Sequence, residues 1–331
     1  MDPELATGCA RIVEALCAVP GDRAVVVTDR SRAGLAAQLA ETALGMKVRV
    51  SVHVLEDHGA RPFLGLPAAI RADLTGAQAS VLWIGIAEHP EIPIRRELVG
   101  LVPELRLRHA HLLDLSRRAL AEAFGATASR IAEATRRVRG RIRPASTLAF
   151  RSRAGSQLEV QLDPAYRWGE HAGIIREGHW ENLPSGLLMT HAPRVSGTFV
   201  ADGSLMGRFA GHTGSLAGSP VTFVIEDGRC RDVRCADGAL GAAVRAHLAS
   251  EGDLDRVGLV VLGTNVGIQR PLGELLVDQC APGLHLTFGF TGGDATGAPW
   301  CSRGILTVTS AGGDVDLDGA PLVRAGRLLG V

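Results

Sequence analysis

The sequence lacks a run of about 18 apolar residues, so no segment is expected to cross a membrane as a helix. It also lacks an excess of charge of either sign, because 35 basic and 35 acidic residues leave a net charge of zero. Binding to nucleic acid usually requires a strong basic excess, and we therefore expect no nucleic-acid partner. Cysteine is scarce, with 6 in 331 residues, which excludes a scaffold built on disulfides.

The start of the chain carries two acidic residues and no basic stretch before its apolar positions, unlike a secretory signal. Together with the few cysteines, this favours a cytoplasmic protein with reduced thiols. The length of 331 residues and the hydrophobic content of 46% favour two domains, each with its own core.

Short apolar runs alternate with helix-like segments over residues 1–145. Strands are predicted at Ala24–Thr28, Val48–Leu55, Ser80–Ile86 and Leu105–Leu113, and helices at Asp29–Ala43, Pro67–Leu74, Leu115–Phe124 and Ala128–Val138. This alternation predicts a Rossmann-like α/β domain with a parallel sheet. The first strand–helix turn, Val27–Gly34, lacks the glycine spacing of a dinucleotide fingerprint, so no nicotinamide cofactor is expected.

The pattern changes after the basic segment Arg136–Arg143, which we interpret as a solvated helix end leading into a linker. Residues 146–331 are rich in glycine and in short alternating strands, with one clear helix at Ala239–Ala249 and a second candidate at Gly273–Cys280. The predicted strands are Thr147–Arg151, Gln157–Leu162, Gly197–Ala201, Val221–Glu226, Leu259–Leu262, Leu284–Phe290 and Ile305–Thr309. A β-rich α+β domain is therefore predicted over residues 146–331.

Several motifs of this second part occur in a distinctive order. They are ENLPSGLLMTHAP at Glu181–Pro193, GTFVADGS at Gly197–Ser204, VTFVIEDG at Val221–Gly228, LGTNVGI at Leu262–Ile268, GELLVDQ at Gly273–Gln279 and LHLTFG at Leu284–Gly289. In this order they resemble the thermophilic metallo-aminopeptidase family, also called the aminopeptidase T or aminopeptidase S family. The resemblance implies an aminopeptidase-T-like second domain and a homodimer. Members of that family hold two metal ions with carboxylates and histidines and release N-terminal residues from peptides.

Most positions at which the resemblance implies metal ligands hold other residue types here. Leu187 and Leu259 stand where glutamates are expected, and Gln279 follows Asp278 where a second carboxylate is expected. His285 is retained, whereas Pro299-Trp300-Cys301 replaces a His-Trp-Asp motif. Leucine cannot coordinate a cation and glutamine is a poor substitute for a bridging carboxylate. We therefore expect a degenerate member of the family without catalysis, metal or cofactor.

A cleft of this kind can still bind a peptide through main-chain hydrogen bonds and apolar pockets. The chain in this respect is similar to the peptide-binding proteins of bacterial ribosomal-peptide pathways such as crocagin biosynthesis. That similarity implies a protein that presents a precursor peptide to modifying enzymes. A subunit whose partner is another folded protein is a further alternative.

The candidate peptide-binding residues fall into two groups. The first surrounds the positions of the absent ligands: Leu187, Leu259, Gln279, His285, Trp300, Cys301 and Arg303. The second flanks the Asn182–Gly186 loop: Arg176, Trp180 and His191. Trp300 offers an apolar face, and Arg303 could bind a carboxylate through two hydrogen bonds. His285 is open to three interpretations: a core histidine, a residue lining the groove, or a metal ligand.

An active metal-dependent aminopeptidase with a rebuilt metal site is the alternative function. Its ligands would come from acceptable residue types near the old centre, namely Asp278, Cys280, His285, Asp294 and Cys301. These residues do not have the closely spaced cysteine pairs of structural zinc sites.

Overall fold

The computed structural model describes residues 3–86, 91–206, 209 and 215–331. Its helices are α1 Pro3–Ala15, α2 Ala33–Gly45, α3 Ala68–Leu74, α4 Ile92–Glu104, α5 Arg117–Glu122, α6 Ala128–Ile142, α7 Gly238–Leu248, α8 Leu275–Asp278 and α9 Gly293–Thr296. Its strands in the first half are β1 Arg23–Thr28, β2 Arg49–Val54, β3 Ala79–Trp83, β4 Arg108–His111, β5 Thr147–Arg151, β6 Gln157–Gln161, β7 Gly169–His171 and β8 His179–Asn182. The remaining strands are β9 Leu187–Thr190, β10 Arg194–Ala201, β11 Val221–Glu226, β12 Arg229–Cys235, β13 Val257–Gly263, β14 Gly283–Phe288, β15 Leu306–Val308, β16 Asp314–Leu317, β17 Ala320–Arg324 and β18 Arg327–Leu328.

The chain divides into two compact units. One comprises Met1–Ala132 with His171–Ser185, and the other comprises Glu133–Glu170 with Gly186–Val331. Residue 145, where the sequence analysis divides the chain, lies in the loop between α6 and β5. The predicted combination of a parallel α/β part with a β-rich part is confirmed.

The first unit is built on a parallel sheet with strand order β2-β1-β3-β4-β8. Every residue of β3 is buried, as are all but the first of β1, which explains why both are continuous apolar runs in the sequence. Parallel neighbours cannot be joined by a tight turn, so the helices between them serve as crossovers. The fold thus follows from the alternation of elements.

The strand order reverses between β1 and β3, the place where parallel sheets of this type bind nucleotides. Here that place is taken by the Arg61 guanidinium. It donates to the Asp29 carboxylate after β1 at 3.2 Å, to the Gly85 carbonyl after β3 at 3.0 Å, and to buried Glu91 at 2.7 Å. The carboxylates and the arginine satisfy one another within the fold.

The second unit has an eight-stranded sheet, β12-β11-β10-β6-β5-β16-β17-β18, and a five-stranded sheet, β15-β14-β13-β9-β7. Their apolar faces form one core. Phe223 of β11 stacks on Phe288 of β14 with ring centroids 5.4 Å apart, and both rings are fully buried. Burying such a side chain contributes about 1.5–3 kcal/mol, so the core holds the two sheets together.

None of the helices in the described part of the chain is long and apolar enough to cross a bilayer.

Gly197 is a position where the sheet requires glycine. Its φ is +123°, and a Cβ atom there would lie 2.2 Å from the Gln157 carbonyl oxygen on β6. We expect Gly197→Ala to destabilise the second unit by about 2 kcal/mol, because both the backbone and the neighbouring strand would have to shift. Thermal and urea unfolding would measure the change.

Gly140→Ala is the matched control. Gly140 lies in the exposed interior of α6, and no atom is within 4 Å of the added methyl group. It should raise stability by about 0.5–1 kcal/mol, since alanine loses less backbone freedom in a helix. Equal unfolding midpoints for the two variants would contradict the assignment of strain to Gly197.

Candidate functional site

One face of the five-stranded sheet gathers the predicted positions Leu187, Leu259 and His285. In the register of β13, Gly263 lies opposite Leu187 of β9, Val261 opposite His285 of β14, and Leu259 opposite Thr287. Residues opposite each other and residues two apart share a face, so all of these lie on the same side. We call this side the site face. The other side carries the core residues Leu188, Val260, Leu262, Leu284 and Leu286.

The site face is apolar and closed. Leu187 and Leu259 are 5% and 4% exposed, and His285 is fully buried. Thr287 and Thr307 satisfy each other through a hydroxyl hydrogen bond of 2.9 Å. The side chains on this face therefore pack as core and offer a cation no carboxylate.

His285 is held by the main chain at both ring nitrogens. Nε2 lies 3.0 Å from the Ala281 carbonyl oxygen, to which it donates, and Nδ1 accepts from the Ser310 N–H at 3.2 Å. Only the neutral Nε2–H tautomer fits both partners, because a proton on Nδ1 would face another donor. Burial lowers the pKa of His285 to about 4. This is the geometry of a core histidine.

The Asp278-Gln279-Cys280 segment lies at the end of α8. The Asp278 carboxylate is buried and accepts from the N–H groups of Leu272 at 2.7 Å and Gly273 at 3.1 Å. Burial raises its pKa to about 6 despite these donors. Gln279 is half-buried at the C-terminal cap of the helix, and Cys280 is fully buried.

The ligand set of the alternative metal site is not assembled by these residues. No three His, Cys, Asp or Glu side chains group so as to hold a metal ion anywhere in residues 3–86, 91–206, 209 and 215–331. Asp278 and His285 already bind main-chain groups, and Asp294 and Cys301 are exposed.

Two of the predicted residues, Trp300 and His191, meet in an aromatic cluster with Tyr166. The His191 ring lies 5.6 Å from Trp300 and 4.6 Å from Tyr166, edge-on in both cases. The Arg256 guanidinium carbon lies 4.1 Å from the centre of the Trp300 ring, a cation–π contact. We call Tyr166, His191, Arg256 and Trp300 the tryptophan cluster.

Polar atoms of this cluster differ in how they are satisfied. His191 Nδ1 donates to the Gly258 carbonyl at 2.8 Å, and burial, with Arg256 nearby, lowers its pKa. Trp300 Nε1 is buried and has no hydrogen-bond partner among the described residues. A buried donor left unpaired costs about 1–3 kcal/mol, so an acceptor supplied by a ligand would stabilise this side chain.

Cys301 and Arg303 follow Trp300 on an exposed segment. This segment is fixed by Glu251, whose carboxylate accepts from the Ser302 hydroxyl and from the main-chain N–H groups of Arg303 and Gly304 at 2.5–3.1 Å. The Arg303 side chain is thus free to reach solvent from a fixed main chain.

The predicted residues Arg176 and Trp180 lie in the first unit. Arg176 is exposed, and Trp180 is 36% exposed on the edge strand β8. The rings of His111 and His171 lie 5.1 Å and 6.0 Å from Trp180, and His109 is 4.7 Å from His111. Burial lowers the pKa of His109 to about 3 and that of His111 well below its usual range, so both rings are neutral.

Tyr166, Arg256, His109, His111 and His171 are absent from the predicted site. Each is brought to its cluster by tertiary packing between distant segments. The one local signal is the His-Ala-His sequence of residues 109–111, which places two imidazoles on the same side of a strand.

Comparison with known proteins supports the fold. No family model and no curated protein matches this sequence. Among solved structures, a 2,5-dihydroxypyridine dioxygenase from Pseudomonas putida has a TM-score of 0.68 at 16% identity, covering 99% of this chain and 97% of that one. Wild-type AmpT from Thermus thermophilus has a TM-score of 0.63 at 20% identity, covering 99% of each chain. The chain therefore has an aminopeptidase T-like fold.

The neutral state of His285 predicts acid sensitivity. The unfolded chain takes up a proton at an ordinary histidine pKa near 6.5, whereas the folded chain resists it until about pH 4. Stability is therefore fully present above about pH 6.5 and falls below it, by about 1.4 kcal/mol per pH unit for each such histidine. Because the raised pKa of Asp278 acts in the opposite direction over this range, the His285 contribution is the difference in slope between the wild type and a His285 variant, measured by urea unfolding between about pH 7 and pH 5.

His285→Asn should reduce that slope by about 1.4 kcal/mol per pH unit and leave the contributions of His109, His111 and His191 in place. Exposed His179→Asn should follow the wild type. Because the buried variant could fail to fold, nitrogen NMR of the wild-type imidazole provides an independent measurement. It should report the Nε2–H tautomer of His285 unchanged down to about pH 5. A charged imidazolium at pH 6 would contradict the assignment.

Proposed function

We propose that this chain is a non-catalytic peptide-binding protein that presents a precursor peptide to modifying enzymes in ribosomal-peptide natural-product biosynthesis. One observation carries the proposal. In a chain with an aminopeptidase T-like fold, the positions expected to hold metal-binding glutamates are Leu187 and Leu259, on the same sheet face as a His285 that is bound to the main chain.

Hydrolysis of an amide bond by this type of centre needs a water activated between two cations. Carboxylates supply the negative charge that binds those cations. The site face carries leucine, threonine and a neutral imidazole instead. Both carboxylate oxygens of Asp278 accept hydrogen bonds from main-chain N–H groups. These residues therefore do not supply the negative charge that binding two cations requires.

The tryptophan cluster supports contact with a peptide. An indole ring with a buried, unpaired N–H can stack on a peptide side chain and donate to a peptide carbonyl after a small rotation. Arg303, on a segment fixed by Glu251, can bind a peptide carboxylate. Gln279, Cys301, Arg176, Trp180 and His191 remain proposed contact residues.

Presentation to modifying enzymes requires that the peptide stays intact and that part of it extends beyond the protein. We also propose a homodimer, on the resemblance described above. Light scattering of the purified protein would test the oligomeric state independently of the peptide.

Binding without cleavage is the central test. Linear peptides selected from a display library on the immobilised full-length protein should bind with micromolar or lower Kd, measured by calorimetry. Mass spectrometry after incubation with zinc, cobalt or manganese should find the same peptides intact. Failure of every selected linear peptide to bind, or removal of N-terminal residues in a chelator-sensitive reaction, would overturn the proposal.

Trp300→Ala should weaken binding of the selected peptides by about 30-fold, because central tryptophans of interfaces contribute about 2 kcal/mol or more. Trp300→Phe should recover part of the loss, since it keeps an aromatic face but lacks the N–H donor. Calorimetric titration of each variant would give the affinities.

Leu64→Ala removes an apolar side chain that is 92% exposed in the first unit and should leave the affinity unchanged. Trp180→Ala separates the two candidate groups. A loss of affinity in Trp180→Ala with none in Trp300→Ala would assign the peptide to the first unit and contradict a role for the tryptophan cluster.

A further inference from the structure

A groove of about 500 Å³ lies beside β12, the outermost strand of the eight-stranded sheet. Its walls are formed by β12, by the C-terminal end of α7 and by the loop that follows that helix. This volume is in the range of known ligand sites. The groove is separate from the site face, because none of its lining residues belongs to β9, β13 or β14.

The acidic side chains that line the groove are already engaged. Asp255 accepts from Arg229 at 2.6 Å, and Asp232 accepts from Arg234 at 2.7 Å. Glu251 accepts three hydrogen bonds from the segment 302–304. Each of these carboxylates thus already has an arginine or N–H partner at one of its oxygens.

The two arginines of the groove make fewer hydrogen bonds than they have donors. Arg245 of α7 donates one hydrogen bond of 2.6 Å to the Val233 carbonyl, which no strand covers on this side of β12. Arg231 lies 3.7 Å from Glu226, too far for a strong hydrogen bond, and its side chain is 51% exposed. A guanidinium has five N–H donors, so most of those on Arg245 and Arg231 remain available to a ligand.

We propose that this groove binds an extended peptide segment carrying an acidic side chain, with Arg245 and Arg231 as the residues that recognise the carboxylate. The inference rests on the proposed peptide-binding function and assigns it a place and a preferred chemistry.

Arg245 also explains how such a peptide would be selected. A hydrogen bond between two charged groups is stronger than one from a guanidinium to a neutral carbonyl. An incoming carboxylate therefore attracts Arg245 away from Val233, and the released carbonyl can accept an N–H from the peptide main chain. A neutral peptide has no carboxylate to attract Arg245. The guanidinium then stays bound to the Val233 carbonyl, which cannot accept an N–H from the peptide.

The groove and the tryptophan cluster are joined by one charged network. Asp253 accepts from Arg229 at 3.0 Å and from Arg256 at 3.3 Å, and Arg256 stacks on Trp300.

A fluorescein-labelled, end-blocked peptide of alternating valine and glutamate, titrated with the full-length protein and followed by anisotropy, tests the proposal. It should bind at least about 10-fold more tightly than the valine–glutamine counterpart, and the difference should shrink at high salt. Arg245→Gln should lower the affinity for the valine–glutamate peptide at least about 10-fold. Arg153→Gln is the matched control, because Arg153 is an exposed arginine of the β5–β6 turn in the same unit, outside the groove.

A charge-reversal variant distinguishes a loss of recognition from a loss of folding. Arg245→Glu should lose the valine–glutamate peptide and gain a valine–lysine peptide, a switch that an unfolded protein cannot produce. Equal binding of the glutamate and glutamine peptides, or no effect of Arg245→Gln, would overturn the proposal that this groove is the binding site. If library-selected peptides still bind in that case, the peptide-binding function stands and only the assignment of the binding site to this groove is wrong. If no linear peptide of any kind binds, the function itself fails.

Discussion

The central sheets of the second unit depend on main-chain partners for their buried ionisable side chains, although the Trp300 N–H is left unpaired. His285 is one example, because the Ala281 carbonyl and the Ser310 N–H fix its tautomer and its charge. Asp278 follows the same rule, with two main-chain donors on its carboxylate. An imidazole and a carboxylate are typical metal ligands, yet both here point their polar atoms at the protein backbone. Their role in this structure is to hold strands and loops in place.

The apolar character of the site face follows from the same requirement. A buried glutamate without a cation would carry a large desolvation penalty, whereas Leu187 and Leu259 gain from burial. The substitutions and the closed packing are therefore consistent with each other. An exposed site face with leucines at these positions would have been difficult to explain, and both leucines are buried.

Much of the fold could be predicted from the sequence, because β1, β3, β11 and β14 are buried apolar runs whose periodicity is visible locally. Helix α4 could not be predicted, because Pro93, Gly100 and Pro103 have low helix propensity and interrupt its helical sequence pattern. Strand β8 is short and polar, and only its pairing with β4 makes it a strand. At the site, the order of motifs identified Leu187, Leu259 and His285 as neighbours. Tyr166, Arg256 and Arg245 could not be identified, because their contacts join segments distant in sequence.

Charged side chains are distributed unevenly between the site face and the groove beside β12. A centre that activates water on cations must present carboxylates, and the site face presents none. Arginines lie in the groove beside β12 and next to Trp300. Arginine suits this role, since its planar guanidinium binds carboxylates through two hydrogen bonds and stacks on aromatic rings. In the proposed function, these arginines and the Trp300 indole would bind an anionic, partly apolar segment of a peptide.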